Sequence, residues 1–208
     1  MQTKGVLVVV SGFSGAGKGT VMKALLNKYD NYALSVSATT RNPRPGEENG
    51  REYFFLTESE FEDMIKNDEL IEHARYVDHY YGTPKKYVEE KMAAGKDVIL
   101  EIEIQGALNI KKKFPDALLV FIVPPTAEDL KKRLTSRGTE SAEVIEKRLR
   151  RAAEESDGMD SYDYIVVNDD IDTCVEDLHS LIRSSHFKES ANTDLVARMK
   201  QELHDMTK

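Results

Sequence analysis

Four apolar runs rich in Val, Ile and Leu, separated by amphipathic stretches, dominate the hydrophobic pattern of this chain. They lie at Gly5–Val10, Asp97–Ile102, Ala117–Val123 and Tyr164–Val167. Short continuous apolar runs are typical of strands that are buried on both faces, as in a parallel sheet. Each run therefore predicts a buried strand.

Helical patterns lie between these runs. They are found at Thr20–Tyr29, at Pro84–Ala94 with a proline in the first turn, and at Thr126–Arg137 with a Thr-x-x-Asp cap. Strands that alternate with helices favour a parallel sheet with right-handed crossover connections. The predicted fold class is therefore α/β.

Residues 35–83 interrupt this alternation. They contain several prolines and glycines, then the aromatic segment Tyr53–Leu56, then a short helix capped at Thr57. Such a composition is typical of turns and short strands. We predict an inserted subdomain of short antiparallel strands here.

Two further stretches lie outside the sheet pattern. Residues 128–158 are helical and highly charged, and residues 188–208 are polar with Leu195, Met199 and Leu203 at helical spacing. We predict a helical lid in the first stretch, and in the second a surface helix that packs or self-associates weakly. What remains is assigned to the core of a single domain: residues 1–34, 84–127 and 159–187.

Length and composition restrict the class of protein. The chain has 208 residues, of which 40% are hydrophobic, and this is ample for one buried core. Its single cysteine, Cys174, excludes an internal disulfide and is expected to be a buried small hydrophobe in a reducing cytosol. The sequence contains no secretory signal and no membrane-spanning run, so a cytoplasmic protein without a membrane partner is expected.

A glycine-rich segment follows the first apolar run directly. It reads Gly12-Phe13-Ser14-Gly15-Ala16-Gly17-Lys18-Gly19-Thr20. After a buried strand, this spacing indicates a phosphate-binding loop (P-loop), in which backbone N–H groups, a helix N-terminus and Lys18 attract phosphate. A chance glycine turn is the alternative interpretation. We predict a nucleoside triphosphate site, although Gly19 stands where most such loops carry the Ser or Thr that contacts magnesium.

The net charge of −8 argues against nucleic acid as a partner, because nucleic-acid-binding proteins carry a basic surface. Phosphate binding must then depend on local groups of cations. In the first group, Arg41 and Arg44 flank Pro43, and a guanidinium fork suits a phosphate monoester. An exposed, solvated loop is the alternative here.

The second group of cations lies in the predicted lid. Arg133 and Arg137 are four residues apart and share a helix face, Gly138 is expected to end that helix, and Arg148 lies on the helix that starts near Ser141. Two such helices joined by a glycine can close over a ligand. An exposed helical hairpin laced with salt bridges is the alternative.

Glu101 and Glu103 lie at the end of a predicted strand. If both belong to that strand they share one face and point toward the carboxyl edge of the sheet, where open α/β folds bind ligands. An acid beside a P-loop usually orders Mg²⁺ through water. A structural pair of carboxylates is the alternative.

Longer motifs narrow the prediction. The segment Ser37–Tyr53 fits Ser-x-x-Thr-Thr-Arg-x-Pro-Arg-x-Gly-Glu-x-x-Gly-x-x-Tyr. Shorter matches follow it: Ile71-Glu72-His73-Ala74, Tyr80-Tyr81-Gly82-Thr83, Gln105-Gly106, Pro124-Pro125, Arg137-Gly138-Thr139-Glu140 and Val167-Asn168-Asp169. In these motifs the chain resembles the guanylate kinase family from about Val6 to Phe187. The resemblance implies a P-loop parallel five-stranded sheet flanked by helices, with a GMP-binding insertion and a helical lid.

The resemblance also implies an activity, the transfer of a phosphoryl group from Mg-ATP to GMP or dGMP, and a role for each motif residue. ATP would be bound by Gly12, Ser14, Gly15, Ala16, Gly17, Lys18, Gly19 and Thr20, with Asn168 near the adenine. The GMP phosphate would be bound by Arg41, Arg44, Tyr53 and Tyr81, and the guanine by Ser37, Glu72, Thr83 and Glu103. The catalytic groups would be Lys18, Arg44, Arg133, Arg137 and Arg148. Mg²⁺ would be held by phosphates and water near Glu101, with no direct protein ligand.

Two departures from the family pattern keep the hydrogen-bonding group but change its reach: Glu103 stands where many relatives have Asp, and Thr83 where many have Ser. Two other functions stay open at this point. One is a non-catalytic guanylate-kinase-like module that binds phosphorylated peptides, which the intact Lys18 argues against. The other is a kinase of the same fold that acts on a sugar phosphate or another nucleotide, which Glu72 and Ser37 argue against because a sugar phosphate has no paired donor edge. The oligomeric state is left open.

Overall fold

Strands alternate with helices along most of the chain, as the apolar pattern predicts. A computed structural model describes residues 4–76, 78–136 and 141–208. The strands are β1 (Leu7–Gly12), β2 (Tyr32–Leu34), β3 (Ser37–Thr39), β4 (Tyr53–Phe55), β5 (Leu70–Tyr76), β6 (His79–Pro84), β7 (Asp97–Glu101), β8 (Leu118–Val123) and β9 (Tyr164–Val167). The α-helices are α1 (Lys18–Lys28), α2 (Glu58–Lys66), α3 (Lys85–Ala93), α4 (Ile104–Lys113), α5 (Ala127–Thr135), α6 (Ala142–Ser156), α7 (Ile171–Ser185) and α8 (Thr193–Asp205).

The central sheet contains five parallel strands in the order β2-β7-β1-β8-β9. Buried side chains cover both of its faces: Met22 of α1 and Leu178 of α7 pack on one, and Val88 of α3 and Ile110 of α4 pack on the other. This confirms the predicted α/β fold, and each of the four apolar runs forms a strand. The fifth strand, β2, is only three residues long and has no apolar run of its own.

The inserted region forms a second sheet in the order β4-β3-β6-β5. Its small core includes Phe61 of α2 and Ala38 of β3, and Thr57 caps α2 in a capping box with Glu60. The prediction of antiparallel strands is wrong for one pair, since β3 and β4 run parallel. The physical reason is the loop 40–52 between them, which is long enough to cross over and return in the same direction.

Several predicted boundaries shift in the structure. Helix α1 begins at Lys18 rather than Thr20, so the P-loop lysine lies in its first turn. Pro84 ends β6 and precedes α3 instead of lying inside the helix. Helix α5 ends at Thr135, two residues before the predicted end, while its cap is confirmed because the Thr126 hydroxyl accepts from the backbone N–H of Asp129.

The lid helices pack directly on the P-loop. Leu130 and Leu134 of α5 form a buried cluster with Ala152 of α6, and Phe13 of the loop packs against it. The predicted hinge at Gly138 lies outside the described residues. In the tail, α8 exposes Leu195, Met199 and Leu203, as expected of a surface helix, and its self-association stays a prediction. Within the described residues, no helix is both long enough and apolar enough to span a membrane.

A buried carboxylate joins the start of the central sheet to the last helix of the core. Asp97, which is 2% exposed, accepts from the backbone N–H of Val6 at 2.8 Å and from Asn31 Nδ2 at 3.3 Å. Its Oδ1 also lies 2.8 Å from His186 Nε2 at the end of α7. Three separate segments therefore depend on one side chain.

We expect Asp97→Ala to lower the free energy of unfolding by about 3 kcal/mol, because it leaves buried donors without an acceptor. The midpoint of urea denaturation measures this loss. Asp116→Ala, which removes an exposed carboxylate in the turn before β8, is the control and should change stability by no more than about 0.5 kcal/mol. Equal midpoints for the two variants would contradict the role given to Asp97.

Candidate active site

The P-loop connects β1 to α1 and has the backbone shape that phosphate binding needs. Gly15 and Gly17 adopt φ values of 93° and 90°, a left-handed region that residues with a Cβ rarely enter. The first turn of α1 contains no acidic residue and no side-chain cap. Its N-terminal N–H groups and positive helix end are therefore available to an anion.

Lys18 lies over this loop. Its Nζ donates to the carbonyl of Gly12 at 2.6 Å and to that of Phe13 at 3.3 Å. Burial lowers the pKa of Lys18, while the carboxylates of Glu101, Glu155 and Glu103 act in the opposite direction. An ammonium held by two neutral carbonyls can exchange them for phosphate oxygens with a short movement of its side chain.

The carbonyl of Ala16 anchors the other side of the loop. Asn168 Nδ2 donates to it at 2.8 Å, and Arg133 Nη1 lies 3.4 Å from it. Arg133 Nη2 also donates to the backbone carbonyl of Asn168 at 2.7 Å. A Cβ at Gly17 would lie only 2.5 Å from Asn168 Nδ2, so the close approach requires glycine there. The sequence contained no signal for this use of Asn168, because its partner is a backbone atom far away in the chain.

Of the other two lid arginines, one is described and contacts the loop. Arg148 Nη1 donates to the hydroxyl of Ser14 at 3.3 Å. Arg137 lies outside the described residues. Helix α6 therefore contacts the P-loop in two ways: through the Arg148–Ser14 hydrogen bond, and through the apolar cluster that it shares with α5.

The inserted sheet gathers the residues predicted to bind a phosphate monoester. The Arg41 guanidinium lies over the rings of Tyr53 and Phe55 at 5.3 and 5.7 Å, and the Tyr53 and Tyr81 rings are 6.2 Å apart. Glu47 holds this loop, since it pairs with Arg41 at 3.0 Å and accepts from the backbone N–H of Arg44 at 2.7 Å. Arg44 itself is exposed on the same loop.

A buried carboxylate lies further along the same sheet. Glu72 of β5 is 7% exposed, and its Oε1 accepts from the hydroxyl of the fully buried Thr83 at 2.9 Å. Burial raises the pKa of Glu72, against the effect of the Thr83 hydrogen bond and the Lys113 charge. Ser37 starts β3, the strand next to β6, on which Thr83 lies. The pairing of β3 with β6 therefore places Ser37 on the strand beside Thr83, and the use of these residues for a base stays a prediction.

The expectation that Glu101 and Glu103 share one strand face is wrong. Strand β7 ends at Glu101, and Glu103 is the residue that precedes α4, because the chain turns into the helix after Ile102. Glu103 Oε2 lies 2.7 Å from Arg151 Nη2 of α6, and Arg151 Nε also lies 2.9 Å from Glu155. Sequence reasoning missed this ion pair, which links α4 to the lid.

Glu101 lies at the carboxyl edge of the central sheet near the P-loop lysine. Although the residue is exposed at this edge, desolvation by neighbouring atoms raises its pKa, and the Lys18 ammonium lowers it. The Glu101 carboxylate and the Lys18 ammonium therefore interact electrostatically beside the P-loop.

Comparisons with known proteins agree with this geometry. The guanylate kinase family model matches residues 4–185. The guanylate kinase of Lactococcus lactis is 50% identical over 188 residues, covering 90% of this chain and 92% of the relative. The guanylate kinase of Caldanaerobacter subterraneus is 48% identical over 202 residues, covering 97% and 98%. A solved structure of guanylate kinase from Anaplasma phagocytophilum has a TM-score of 0.72 and 33% identity, covering 90% of this chain and 89% of that one. With a P-loop, a buried carboxylate in an inserted sheet and a match over most of its length, this chain belongs to the guanylate kinase family.

Proposed function

We propose that the chain transfers the γ-phosphoryl group of ATP to GMP, and also to dGMP, giving ADP and the guanosine diphosphate for purine nucleotide metabolism. The observation that carries this proposal is the buried Glu72–Thr83 pair beside the Arg41, Tyr53 and Tyr81 cluster. This arrangement offers one site for a base and one for its phosphate. The P-loop supplies the donor site.

The chemistry of Glu72 favours guanine over adenine. The N1–H and N2–H₂ groups of guanine are adjacent donors that one carboxylate can accept together, whereas adenine presents a lone pair at N1. A site built on such hydrogen bonds rejects a base without them by roughly 10⁴-fold. Ser37, Thr83 and Glu103 are proposed to complete the base site, and Glu103 must then exchange its Arg151 partner for the base.

The phosphate of GMP is proposed to bind at the Arg41 cluster. Tyr53 and Tyr81 lie beside the Arg41 guanidinium and are proposed to donate their hydroxyl hydrogens to the same phosphate, and the pairing with Glu47 keeps Arg41 oriented. Glu47 fixes the backbone of Arg44 by accepting from its N–H group, whereas the Arg44 side chain is exposed. We propose that this side chain turns toward the phosphate. A planar fork and two hydroxyls match the oxygen atoms of a monoester.

Transfer from ATP to this phosphate needs no general base, because the acceptor oxygen already carries negative charge near neutral pH. Catalysis then consists of positioning and charge neutralisation. Lys18 is proposed to bridge the β- and γ-phosphates, and Arg137 and Arg148 to close over the transferred group. Arg133 is proposed to support the same reaction while holding the Ala16 and Asn168 carbonyls.

The donor set beside the loop fits Mg²⁺ held mainly by phosphate oxygens and water. Within the described residues, no group of three or more His, Cys, Asp or Glu side chains is arranged to bind a metal ion. Glu101 offers one carboxylate beside Lys18, and Mg²⁺ commonly uses one or two carboxylates and keeps several waters. We propose that Glu101 contacts a water of this ion, which would neutralise charge on the triphosphate when bound.

We propose that the substrates are ATP and GMP, that the net charge of −8 disfavours nucleic acid, and that the protein acts in the cytoplasm without a membrane partner. The buried, unpaired Cys174 suits a reducing compartment. Bacterial relatives support the same setting.

A coupled assay of ADP release from Mg-ATP tests the function, with GMP, dGMP, AMP, CMP and UMP supplied separately. We expect GMP and dGMP to be phosphorylated and kcat/KM for AMP to be about 10⁴-fold lower than for GMP. Equal turnover of AMP and GMP would refute the guanine assignment. Normal ATP binding with no turnover of any acceptor would instead favour a non-catalytic binding module.

Arg148→Ala should lower kcat for GMP phosphorylation by about 10³-fold, the low end of the effect of a lost arginine finger. Arg150→Ala is the matched control, since Arg150 lies on the same helix and pairs with Glu146 at 2.6 Å. Steady-state kinetics measure both variants, and the control should stay within about twofold of the unaltered enzyme. A fall of less than tenfold for Arg148→Ala would argue against its contact with the transferred group.

A further inference from the structure

We propose that Gly106 is a positioning residue for guanine recognition: the space left by its missing side chain sets the orientation of the Glu72 carboxylate. Gly106 is buried in the first turn of α4, and Glu72 lies on β5 of the inserted sheet. The inference rests on the proposed function and assigns specificity to a residue that does not touch the base.

The space at Gly106 is filled on one side by Glu72. A Cβ at this position would lie 3.2 Å from Glu72 Oε2 and 3.7 Å from its Cδ. It would also lie 3.2 Å from Cδ1 of Ile102. Contacts of 3.2 Å are tighter than most that real Cβ atoms make, so with an alanine here the carboxylate oxygen and the Ile102 methyl group must each give way by a few tenths of an ångström.

The Glu72 carboxylate has little freedom to absorb this displacement. Its other oxygen, Oε1, is held at 2.9 Å by the Thr83 hydroxyl, and both residues are buried. Because the two oxygens belong to one rigid carboxylate, a displacement of Oε2 would also disturb the hydrogen bond at Oε1. Rotation of the carboxylate would leave a buried acceptor misdirected.

The spacing between α4 and β5 is also fixed. Ile71, the neighbour of Glu72, belongs to the buried cluster that contains Ala107 and Ile110 of α4. At the other end of the helix, Lys113 Nζ donates to the Ile71 carbonyl at 3.2 Å. The helix cannot move back from Glu72 without opening this packed contact.

The backbone of α4 does not itself need a glycine. Gly106 is absent from the positive-φ residues and lies inside a regular helix. In such a place alanine stabilises a helix more than glycine does. Gly106→Ala should therefore leave the helix as stable as before or more stable, while disturbing the carboxylate beside it. These opposite effects separate a positioning role from a structural one.

The test compares Gly106→Ala, Glu72→Gln and the double variant, with GMP and IMP as acceptors. IMP lacks the 2-amino group, so it can use only one of the two donors that the carboxylate is proposed to accept. For Gly106→Ala we expect KM for GMP to rise about tenfold and the preference for GMP over IMP to fall about fivefold. KM for ATP should stay within about twofold, and Tm should be unchanged or higher.

The double variant identifies the route of the effect. If Gly106 acts through Glu72, adding Gly106→Ala to Glu72→Gln should change KM for GMP by less than about twofold. Asn109→Ala is the matched control, because Asn109 is exposed on the same helix and gains helix propensity without approaching Glu72. It should leave KM for GMP and the preference for GMP over IMP unchanged.

Four results would overturn the inference. Gly106→Ala with an unchanged KM for GMP and unchanged preference would show that the carboxylate tolerates the Cβ. An equal loss in the Glu72→Gln background, or a loss of Tm and ATP binding together with GMP binding, would show a structural role instead. Failure of the unaltered protein to phosphorylate GMP would refute the proposed function itself and this inference with it, and is distinguishable because it needs no substitution.

Discussion

The hydrogen bonds to the carbonyl of Ala16 are the interaction on which the rest of the site depends. Asn168 reaches this carbonyl from the end of the central sheet, and Arg133 reaches it from α5 of the lid. These contacts tie the P-loop to the central sheet and to α5. Because phosphoryl transfer requires positioning far more than covalent chemistry, a loop that moved by an ångström would lose most of its effect.

A protein with a net charge of −8 must nevertheless bring two anions together. We propose that the chain meets this requirement locally, with helix N–H groups and Lys18 on the donor side and the Arg41 loop on the acceptor side. The proposed site of base recognition is separate from these cations, at the buried Glu72 carboxylate. Burial makes that carboxylate selective, since an unpaired acceptor in a dry site is costly and the wrong base leaves it unpaired.

Local patterns were sufficient to predict much of this architecture. Thr126 and Thr57 predicted the starts of their helices correctly, because capping is a local interaction. The spacing from Gly12 to Lys18 predicted the P-loop for the same reason. The failures concern contacts between distant segments: the Glu103–Arg151 pair, the Asn168–Ala16 bond and the parallel pairing of β3 with β4. The periodicity of hydrophobic residues does not indicate which side chain will contact which distant group in the folded chain. Sequence patterns also could not predict the role of Gly106, because that role depends on the close approach of Glu72, which lies on β5, to α4.

We propose that the two nucleotides bind at once, end to end, with a guanine at one end and an adenine at the other. Adenosine and guanosine joined by five phosphates would occupy both sites, and diadenosine pentaphosphate is its matched control. Titration calorimetry with competition against ATP and GMP measures this most directly. We predict that the mixed compound competes with both substrates and binds at least about 100-fold more tightly than the diadenosine compound. Equal affinities, or competition with ATP alone, would contradict the account.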